Sequence, residues 1–285
     1  MSIKNRKQNT LKGEKAFSGI GIHTGREVTM KFCPAPENHG IVFKRIDLPD
    51  APLIPASVDN VCDLLRSTTI GLKELKIHTV EHVLAALNAY RIDNLLIEID
   101  NIEPPVGNGS SDVFVEMIEA VGIKEQSAPA RCLTVTKPLY WADKEIQLIA
   151  LPYEGFRISY TLNYPQTKIL KSQFYSGMVT PENFKNEIAP CRTFSLYEEV
   201  SMLLDKGLIK GASLDNAVVI KEDVVLSKNG LFFSDEMVRH KVLDVIGDLK
   251  LIGADINAHV ISIRSGHASN HEFAKILTEQ EAISA

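Results

Sequence analysis

One short string in this sequence combines residue types that bind metals and move protons. Residues 78–82 read His-Thr-Val-Glu-His, an H-x-x-E-H string that is typical of inverzincin metallopeptidases. In a helix, His78 and His82 would lie on the same side, because they are four residues apart. Glu81, next to a ligand, would then serve as a base. Taken alone, the string is explained equally well by a solvated helix start that carries His and Glu.

A second string has the spacing of ligands on one face of a helix. His240, Asp244 and Asp248 follow one another at intervals of four residues and form a polar stripe, with valine and leucine residues forming an apolar stripe beside it. Such a polar stripe suits metal ligation or a proton relay. The alternative is an exposed amphipathic face, although such faces more often mix Lys with Glu. A third string, Ser-Gly-His-Ala-Ser-Asn, places His267 in a loop, and loops often carry catalytic residues.

Together these strings predict a catalytic metal site. A catalytic zinc needs three protein ligands and one open position for water. The ligands predicted here are His82, His240 and Asp244. Glu81 would take a proton from the bound water, whose pKa zinc lowers to about 7. His267 would protonate the leaving group or stabilise the oxyanion, and Asp248 would keep it charged. This chemistry is the hydrolysis of an amide or an ester.

The elements that must position these residues form an α+β pattern. In each half, short apolar strands come first and helical periodicity follows, most clearly at His78–Tyr90 and Asp235–Leu249. The polar stretch Ile123–Arg131 interrupts the periodicity and predicts a domain boundary. We therefore expect a first α+β domain at residues 1–126, with the HTVEH string, and a second at residues 127–285, with the other two strings. The site would lie in a cleft between them.

Composition argues against several classes of protein. Hydrophobic residues make up 45% of the chain and charged residues 24%, as in an ordinary globular protein. The net charge of −5 argues against a nucleic-acid partner. No apolar run is as long as a transmembrane segment, which needs about 18 residues. The basic N-terminus lacks the apolar core of a secretory signal. The four cysteines form no CxxC pair, so we expect reduced thiols and a cytoplasmic protein.

The chemical strings belong to a larger set that resembles one family over essentially the whole chain. In chain order the set is SGIGIHTG, HTVEHVLAAL, EPPVGNGSS, APCRTF, GLIKGASLDNAVVI, VRHKVLDVIGDL and SGHASN. It resembles the UDP-3-O-acyl-N-acetylglucosamine deacetylases, zinc amidases of lipid A biosynthesis in Gram-negative bacteria. The resemblance implies hydrolysis of the N-acetyl group of UDP-3-O-(3-hydroxyacyl)-N-acetylglucosamine. The products would be UDP-3-O-acyl-glucosamine and acetate, in the committed step of that pathway.

The resemblance also implies a fold and further site residues. The fold would be a layered β-α-α-β sandwich of two similar α+β domains, with the helices inside and a small insert in each domain. The resemblance implies the same roles as the residues alone. The metal ligands would be His82, His240 and Asp244, the base would be Glu81, and His267 would act with Asp248 behind it. Thr193 would contact the tetrahedral oxyanion, Lys241 the nucleotide sugar, and Phe194 would pack against the sugar or nucleotide. The second insert would form an apolar passage for the acyl chain, lined by Val200, Ile209, Ala212, Ser213, Ala217 and Val219.

The expected cofactor is Zn²⁺, and Fe²⁺ also suits two histidines and an aspartate. The expected partner is the UDP-sugar substrate, with no nucleic acid, and nothing in the sequence demands more than a monomer. Two alternatives remain open. An inverzincin-type metallopeptidase would use His78 and His82 as ligands, although the position of His78 is not a ligand in the resembled family. A catalytically inactive module that binds a nucleotide sugar would need neither Glu81 nor His267.

Overall fold

A computed structural model describes residues 6–284 of the chain, with side chains up to residue 280. The helices are α1 (Glu81–Ala89), α2 (Asp112–Val121), α3 (Pro181–Asn183), α4 (Tyr197–Asp205), α5 (Glu236–Lys250) and α6 (His267–Ser284). The strands of the first half are β1 (Lys7–Leu11), β2 (Lys15–Ile20), β3 (Glu27–Pro34), β4 (Ile41–Arg45), β5 (Leu53–Pro55), β6 (Val61–Asp63), β7 (Thr69–Leu72), β8 (Leu75–Ile77), β9 (Leu95–Ile99) and β10 (Ile123–Pro129). The strands of the second half are β11 (Cys132–Thr134), β12 (Leu139–Asp143), β13 (Ile146–Leu151), β14 (Phe156–Tyr164), β15 (Lys171–Met178), β16 (Phe194–Leu196), β17 (Val218–Lys221), β18 (Val224–Leu226) and β19 (Asp255–Ile263). A 3₁₀ turn at Val58–Asn60 and a π-helical turn at Phe184–Ile188 complete the set.

Each half builds one mixed sheet, and the two sheets share one topology. The first has the strand order β2-β3-β9-β4-β5, and the second has β12-β13-β19-β14-β15 with β11 added beside β19. In each sheet the central strand is parallel to one neighbour and antiparallel to the other. The inner helix that precedes this strand, α1 or α5, lies in the long crossover that a parallel pair requires. The halves are therefore structural repeats, and the predicted α+β fold is confirmed.

Helices α1, α2, α5 and α6 lie between the two main sheets. Helix α2 contacts β2 of the first sheet, α5 and α6 contact the second sheet, and α1 packs against α5. Every residue of α1 is buried. At the helix contact, a Cβ on Gly247 would lie 2.1 Å from the carbonyl oxygen of Glu81, so only glycine permits this approach. Because this packing joins the two halves, it sets the position of Glu81 relative to the residues of α5.

Each half also carries a small insert before its inner helix. In the first half the insert is the three-stranded sheet β6-β7-β8, and in the second it is α4 with the sheet β16-β17-β18. An ion pair of 2.9 Å joins Arg66 of the first insert to Glu199 of α4. The two inserts therefore meet, and the cleft described below lies beside this contact.

The segment predicted to be a domain boundary is largely a strand. Strand β10 occupies Ile123–Pro129 and pairs antiparallel with β1. Its side chains are all half-buried or exposed. The strand therefore lacks the fully buried apolar residues that would have marked it in the sequence. Just before β1, Arg6 forms ion pairs with Asp93 of the first half and Asp255 of the second. A division of the chain at residues 126 and 127 remains a prediction.

Two further features concern membrane spans and disulfide bonds. Within the described part of the chain, no helix combines the length and the apolar character needed to cross a bilayer. Within the same residues, no disulfide bond joins any of the cysteines.

Candidate active site

Three side chains from the two inner helices converge where the halves meet. His82 comes from the first turn of α1, and His240 and Asp244 come from successive turns of α5. One ligand atom of each lies within 4.8 Å of the others, and all three residues are buried. Oδ1 of Asp244 lies 3.9 Å from Nε2 of His82 and 3.5 Å from Nε2 of His240. Two imidazole nitrogens and a carboxylate oxygen form a donor set that suits catalytic Zn²⁺ and also Fe²⁺.

The surroundings of these side chains favour binding of a cation. Nδ1 of His240 lies 3.0 Å from the carbonyl oxygen of Cys191, which favours the tautomer whose Nε2 is free to bind a metal. Burial and the neighbouring His240 lower the pKa of His82 to about 3, so its ring is neutral. Burial acts to raise the pKa of Asp244, but the charge of Lys241 and the neighbouring histidines together outweigh it and hold this pKa below its usual range. Nζ of Lys241 donates to Oδ2 of Asp244 at 2.8 Å.

Glu81 directs its carboxylate into the same space from the first position of α1. Its Oε2 accepts a hydrogen bond from the backbone N–H of Thr68 at 3.0 Å. Its Oε1 lies 3.9 Å from Nε2 of His267. Burial raises the pKa of Glu81 to about 8, although the charge of His267 acts in the opposite direction. A carboxylate with a raised proton affinity is suited to act as a base near neutral pH.

His267, the first residue of α6, is paired with a buried carboxylate. Its Nδ1 lies 2.9 Å from Oδ2 of Asp248, and Nδ2 of Asn270 donates to the same oxygen at 2.8 Å. Burial acts to lower the pKa of His267, but the charge of Asp248 and the hydrogen bond to it raise this pKa to about 9. The ring is therefore a cation at neutral pH, with its Nε2 on the side of Glu81.

A cleft of about 340 Å³ is lined by five of these residues: Glu81, His82, His240, Asp244 and His267. Thr193, Phe194, Lys241 and Tyr164 line the same cleft. The ring of Phe194 stands edge-on to the rings of His240 and Tyr164, with centroids 6.4 and 6.2 Å away. The structure therefore brings Thr193, Lys241 and Phe194 beside the metal-binding cluster, while their roles toward a substrate remain predictions.

A mainly apolar cavity continues from the cleft, between the first half of the chain and the second insert. The residues that it shares with the cleft are Arg66, Glu81, His82, Thr193, Phe194 and Ser195. Its remaining walls are largely apolar and include Ile22, Pro105, Val106, Phe114 and Leu203. Of the residues predicted for an acyl passage, three line it: Ile209, Ala212 and Ala217. The other three, Val200, Ser213 and Val219, are not among its lining residues.

His78 does not lie on the helix that the H-x-x-E-H string suggests. Helix α1 begins at Glu81, so the prediction of a helix from residue 78 is wrong. Thr79 has a φ of +55°, which is incompatible with a right-handed helix. Nδ1 of His78 lies 2.9 Å from the hydroxyl of Thr69, and His78 is not part of the metal-binding cluster found among residues 6–280. The geometry therefore gives no support to a peptidase that uses His78 as a ligand.

Comparison with known proteins identifies the family of the chain. Residues 8–279 match the model of one protein family, described as UDP-3-O-acyl N-acetylglycosamine deacetylase. The chain belongs to this deacetylase family. A protein of Chlamydia pneumoniae named UDP-3-O-acyl-N-acetylglucosamine deacetylase is 47% identical over 275 residues, which are 96% of this chain and 98% of that protein. A protein of the same name from Chlamydia muridarum is 45% identical over 265 residues, 93% of this chain and 92% of that protein.

This member of the deacetylase family has site residues that the sequence did not reveal. Thr68 contacts Glu81 and Asp248 but lies just before an insert strand, in a segment with no chemical motif. Asn270 contacts Asp248. Residues three apart on a helix are neighbours, so the position of Asn270 three residues after His267 could have predicted that it belongs to the site. Arg264 lines a small pocket with Lys241 and Tyr164, and only the fold brings these three together.

Proposed function

We propose that this chain is a metal-dependent deacetylase that hydrolyses the N-acetyl group of UDP-3-O-(3-hydroxyacyl)-N-acetylglucosamine. One observation carries the proposal: the cluster of two histidines and an aspartate lies beside Glu81, with His267 facing that carboxylate, where a polar cleft meets an apolar cavity. The named activity of the Chlamydia relatives supports the same substrate. The reaction is the committed step of lipid A biosynthesis.

The metal ligands in this proposal are His82, His240 and Asp244. We infer Zn²⁺ as the resident ion, with Fe²⁺ as the alternative that the same donors accept. When bound, the ion lowers the pKa of a coordinated water to about 7 and polarises the amide carbonyl.

The chain's own residues would move the protons. Glu81 accepts a proton from the water whose oxygen attacks the acetyl carbonyl carbon. The Thr193 hydroxyl donates a hydrogen bond to the oxyanion that forms, and the charge of His267 stabilises it. When the C–N bond breaks, Nε2 of His267 gives its proton to the departing amine. The products are acetate and the free amine of UDP-3-O-acyl-glucosamine, and Asp248 keeps His267 oriented throughout.

The two cavities account for the two ends of the substrate. The acyl chain would occupy the apolar cavity, where burial of each CH₂ contributes about 0.8 kcal/mol. Ile209, Ala212 and Ala217 support this placement because they line that cavity. The UDP moiety would lie toward Lys241 and Arg264, whose positive charges suit a diphosphate. Phe194 would pack against the sugar or the uracil.

We also infer a cytoplasmic monomer. Cysteines without a CxxC pair suit a reducing compartment. The proposed ligands and proton-transfer groups all come from one chain, so the site needs no second copy.

The decisive experiment measures acetate release from the acylated UDP-sugar by the purified protein. We expect release to stop on chelation and to return when zinc is added. Anaerobic reconstitution with Fe²⁺ then identifies the better metal by kcat. Folded, metal-loaded protein that releases no acetate from substrates of several acyl lengths would rule the proposal out.

A further inference from the structure

Thr68 contacts both sides of the proposed proton-transfer machinery. It is 1% exposed and lies directly before β7 in the first insert. Its backbone N–H donates to Oε2 of Glu81 at 3.0 Å, and its carbonyl oxygen accepts from the backbone N–H of Val80 at 3.1 Å. Its hydroxyl lies 2.5 Å from Oδ1 of Asp248, which follows 180 residues later in the chain. One residue of the first half therefore contacts the proposed base and the carboxylate behind the proposed acid.

The direction of the hydroxyl hydrogen bond follows from its neighbours. Nδ1 of His267 lies 2.9 Å from Oδ2 of Asp248, and it must carry a proton to bond a carboxylate. The same nitrogen lies 3.2 Å from the hydroxyl oxygen of Thr68, which therefore cannot donate to it. The single hydroxyl proton of Thr68 is donated to Oδ1 of Asp248. A hydrogen bond to a charged acceptor is stronger than one between neutral groups.

This bond completes the support of Asp248. Its Oδ2 accepts from Asn270 and from His267, and its Oδ1 accepts from Thr68. Rotation of a carboxylate about χ2 is soft, so donors on both oxygens define the plane better than donors on one. Without the hydroxyl, Oδ1 of this 1% exposed side chain would lose its donor. The orientation of the His267 ring would then be less well defined.

We propose that Thr68 is a positioning residue that holds Glu81 and the Asp248–His267 pair in register across the cleft. Its backbone acts on the carboxylate of Glu81, and its hydroxyl acts on His267 through Asp248. Thr68 is not among the residues that line the cleft, so this role is exerted through other side chains. The inference rests on the proposed deacetylase function.

The test compares Thr68→Val, Thr68→Ser and Thr69→Val with the wild-type enzyme. Valine keeps the shape and the backbone N–H but removes the hydroxyl, whereas serine keeps the hydroxyl. Thr69 is a matched control: it is the next residue, it is 2% exposed, and its hydroxyl contacts His78 outside the site. Acetate release gives kcat and KM for each protein, and metal analysis gives the bound ion per chain.

We expect Thr68→Val to lower kcat by about 10- to 100-fold, the usual cost of removing a group that orients a catalytic side chain, with KM and metal content nearly unchanged. Thr68→Ser and Thr69→Val should stay close to wild type. A wild-type kcat in Thr68→Val, or an equal loss in Thr68→Ser, would show that the hydroxyl does not position the site. A loss confined to KM would do the same.

A second comparison covers the case in which valine does not fit beside the carboxylate. Thr68→Ala is made in the wild-type background and in an Asp248→Ala background. Because the hydroxyl acts through Asp248, its removal should lower kcat in the first background and have no further effect in the second. Equal losses in both would overturn the inference. A wild-type enzyme that releases no acetate while folded and metal-loaded would instead overturn the proposed function, and this inference with it.

Discussion

Nε2 of His267 and Oε1 of Glu81 lie 3.9 Å apart in the cleft, on side chains that come from different halves of the chain. The surroundings of each side chain raise its pKa, for different reasons. Asp248 raises the pKa of His267 to about 9 against the effect of burial, and burial raises that of Glu81 to about 8. An acid and a base side by side would serve the two proton transfers of amide hydrolysis. Glu81 would take a proton from the attacking water, and His267 would give one to the departing nitrogen.

The pairing of His267 with Asp248 predicts the alkaline limb of the pH profile. If the protonated ring is required, kcat falls as pH rises through the pKa of His267, near 9. Asp248→Asn removes the charge that raises this pKa, so the limb should move to lower pH by about one to three pH units. Measuring kcat from pH 6 to 10 in both proteins checks this. A limb that stays in place would mean that His267 is not the titrating group.

Glu81→Gln separates an enzyme from a module that only binds nucleotide sugars. Glutamine keeps the size of the side chain and can still accept from the backbone of Thr68, but it takes no proton from water. We expect kcat to fall by about 10²- to 10⁴-fold, the usual contribution of general base catalysis. Calorimetric affinity for the UDP-sugar and the metal content should be retained. Unchanged kcat would remove Glu81 from the reaction.

The four-residue spacing was sufficient to predict that His240, Asp244 and Asp248 share one face of a helix. The same reasoning failed for His78, because the backbone turns at Thr79, whose positive φ is not expected for a β-branched residue. Strand β10 was missed because its mainly exposed polar side chains, with no fully buried apolar residue among them, resemble those of a loop. Contacts such as that of Thr68 with Asp248 arise only when α1 and α5 pack together, so no local pattern contains them.

The position of His78 outside α1 predicts how metal binding responds to two matched substitutions. His240→Ala removes a nitrogen of the metal-binding cluster and should abolish stoichiometric metal binding and acetate release. His78→Ala removes a ring that contacts Thr69 instead and should retain one metal per chain. Metal analysis after gel filtration distinguishes the two. Loss of the metal from the His78 variant would restore the peptidase alternative.

The apolar cavity predicts selection of acyl length. Ala212 lies on its wall, so Ala212→Phe should occupy space that the far end of a long chain requires. Each methylene excluded from burial costs about 0.8 kcal/mol, or about fourfold in KM. KM should therefore rise steeply with acyl length in the variant and match wild type for the shortest substrates. The same increase at every length would place the acyl chain elsewhere.

The loop that carries Thr193 depends on a buried ion pair between Arg192 and Glu236, which are 2% and 0% exposed. Nε of Arg192 donates to Oε1 of Glu236 at 2.8 Å and Nη2 donates to Oε2 at 3.1 Å. Glu236→Gln leaves the guanidinium buried without a counter-charge, so we expect the free energy of unfolding to fall by about 3 to 5 kcal/mol. Urea denaturation measures this.

The matched control for Glu236→Gln is Asp223→Asn, which removes the partner of Lys168 at an exposed ion pair. Because solvent screens that pair, its loss should leave the urea midpoint unchanged. The Glu236 variant should also bind the metal more weakly, because Cys191 precedes Arg192 and its carbonyl oxygen lies 3.0 Å from Nδ1 of His240. Wild-type stability in Glu236→Gln would show that the neutral acceptors which the guanidinium already has, such as the carbonyl oxygen of Gly230, are sufficient.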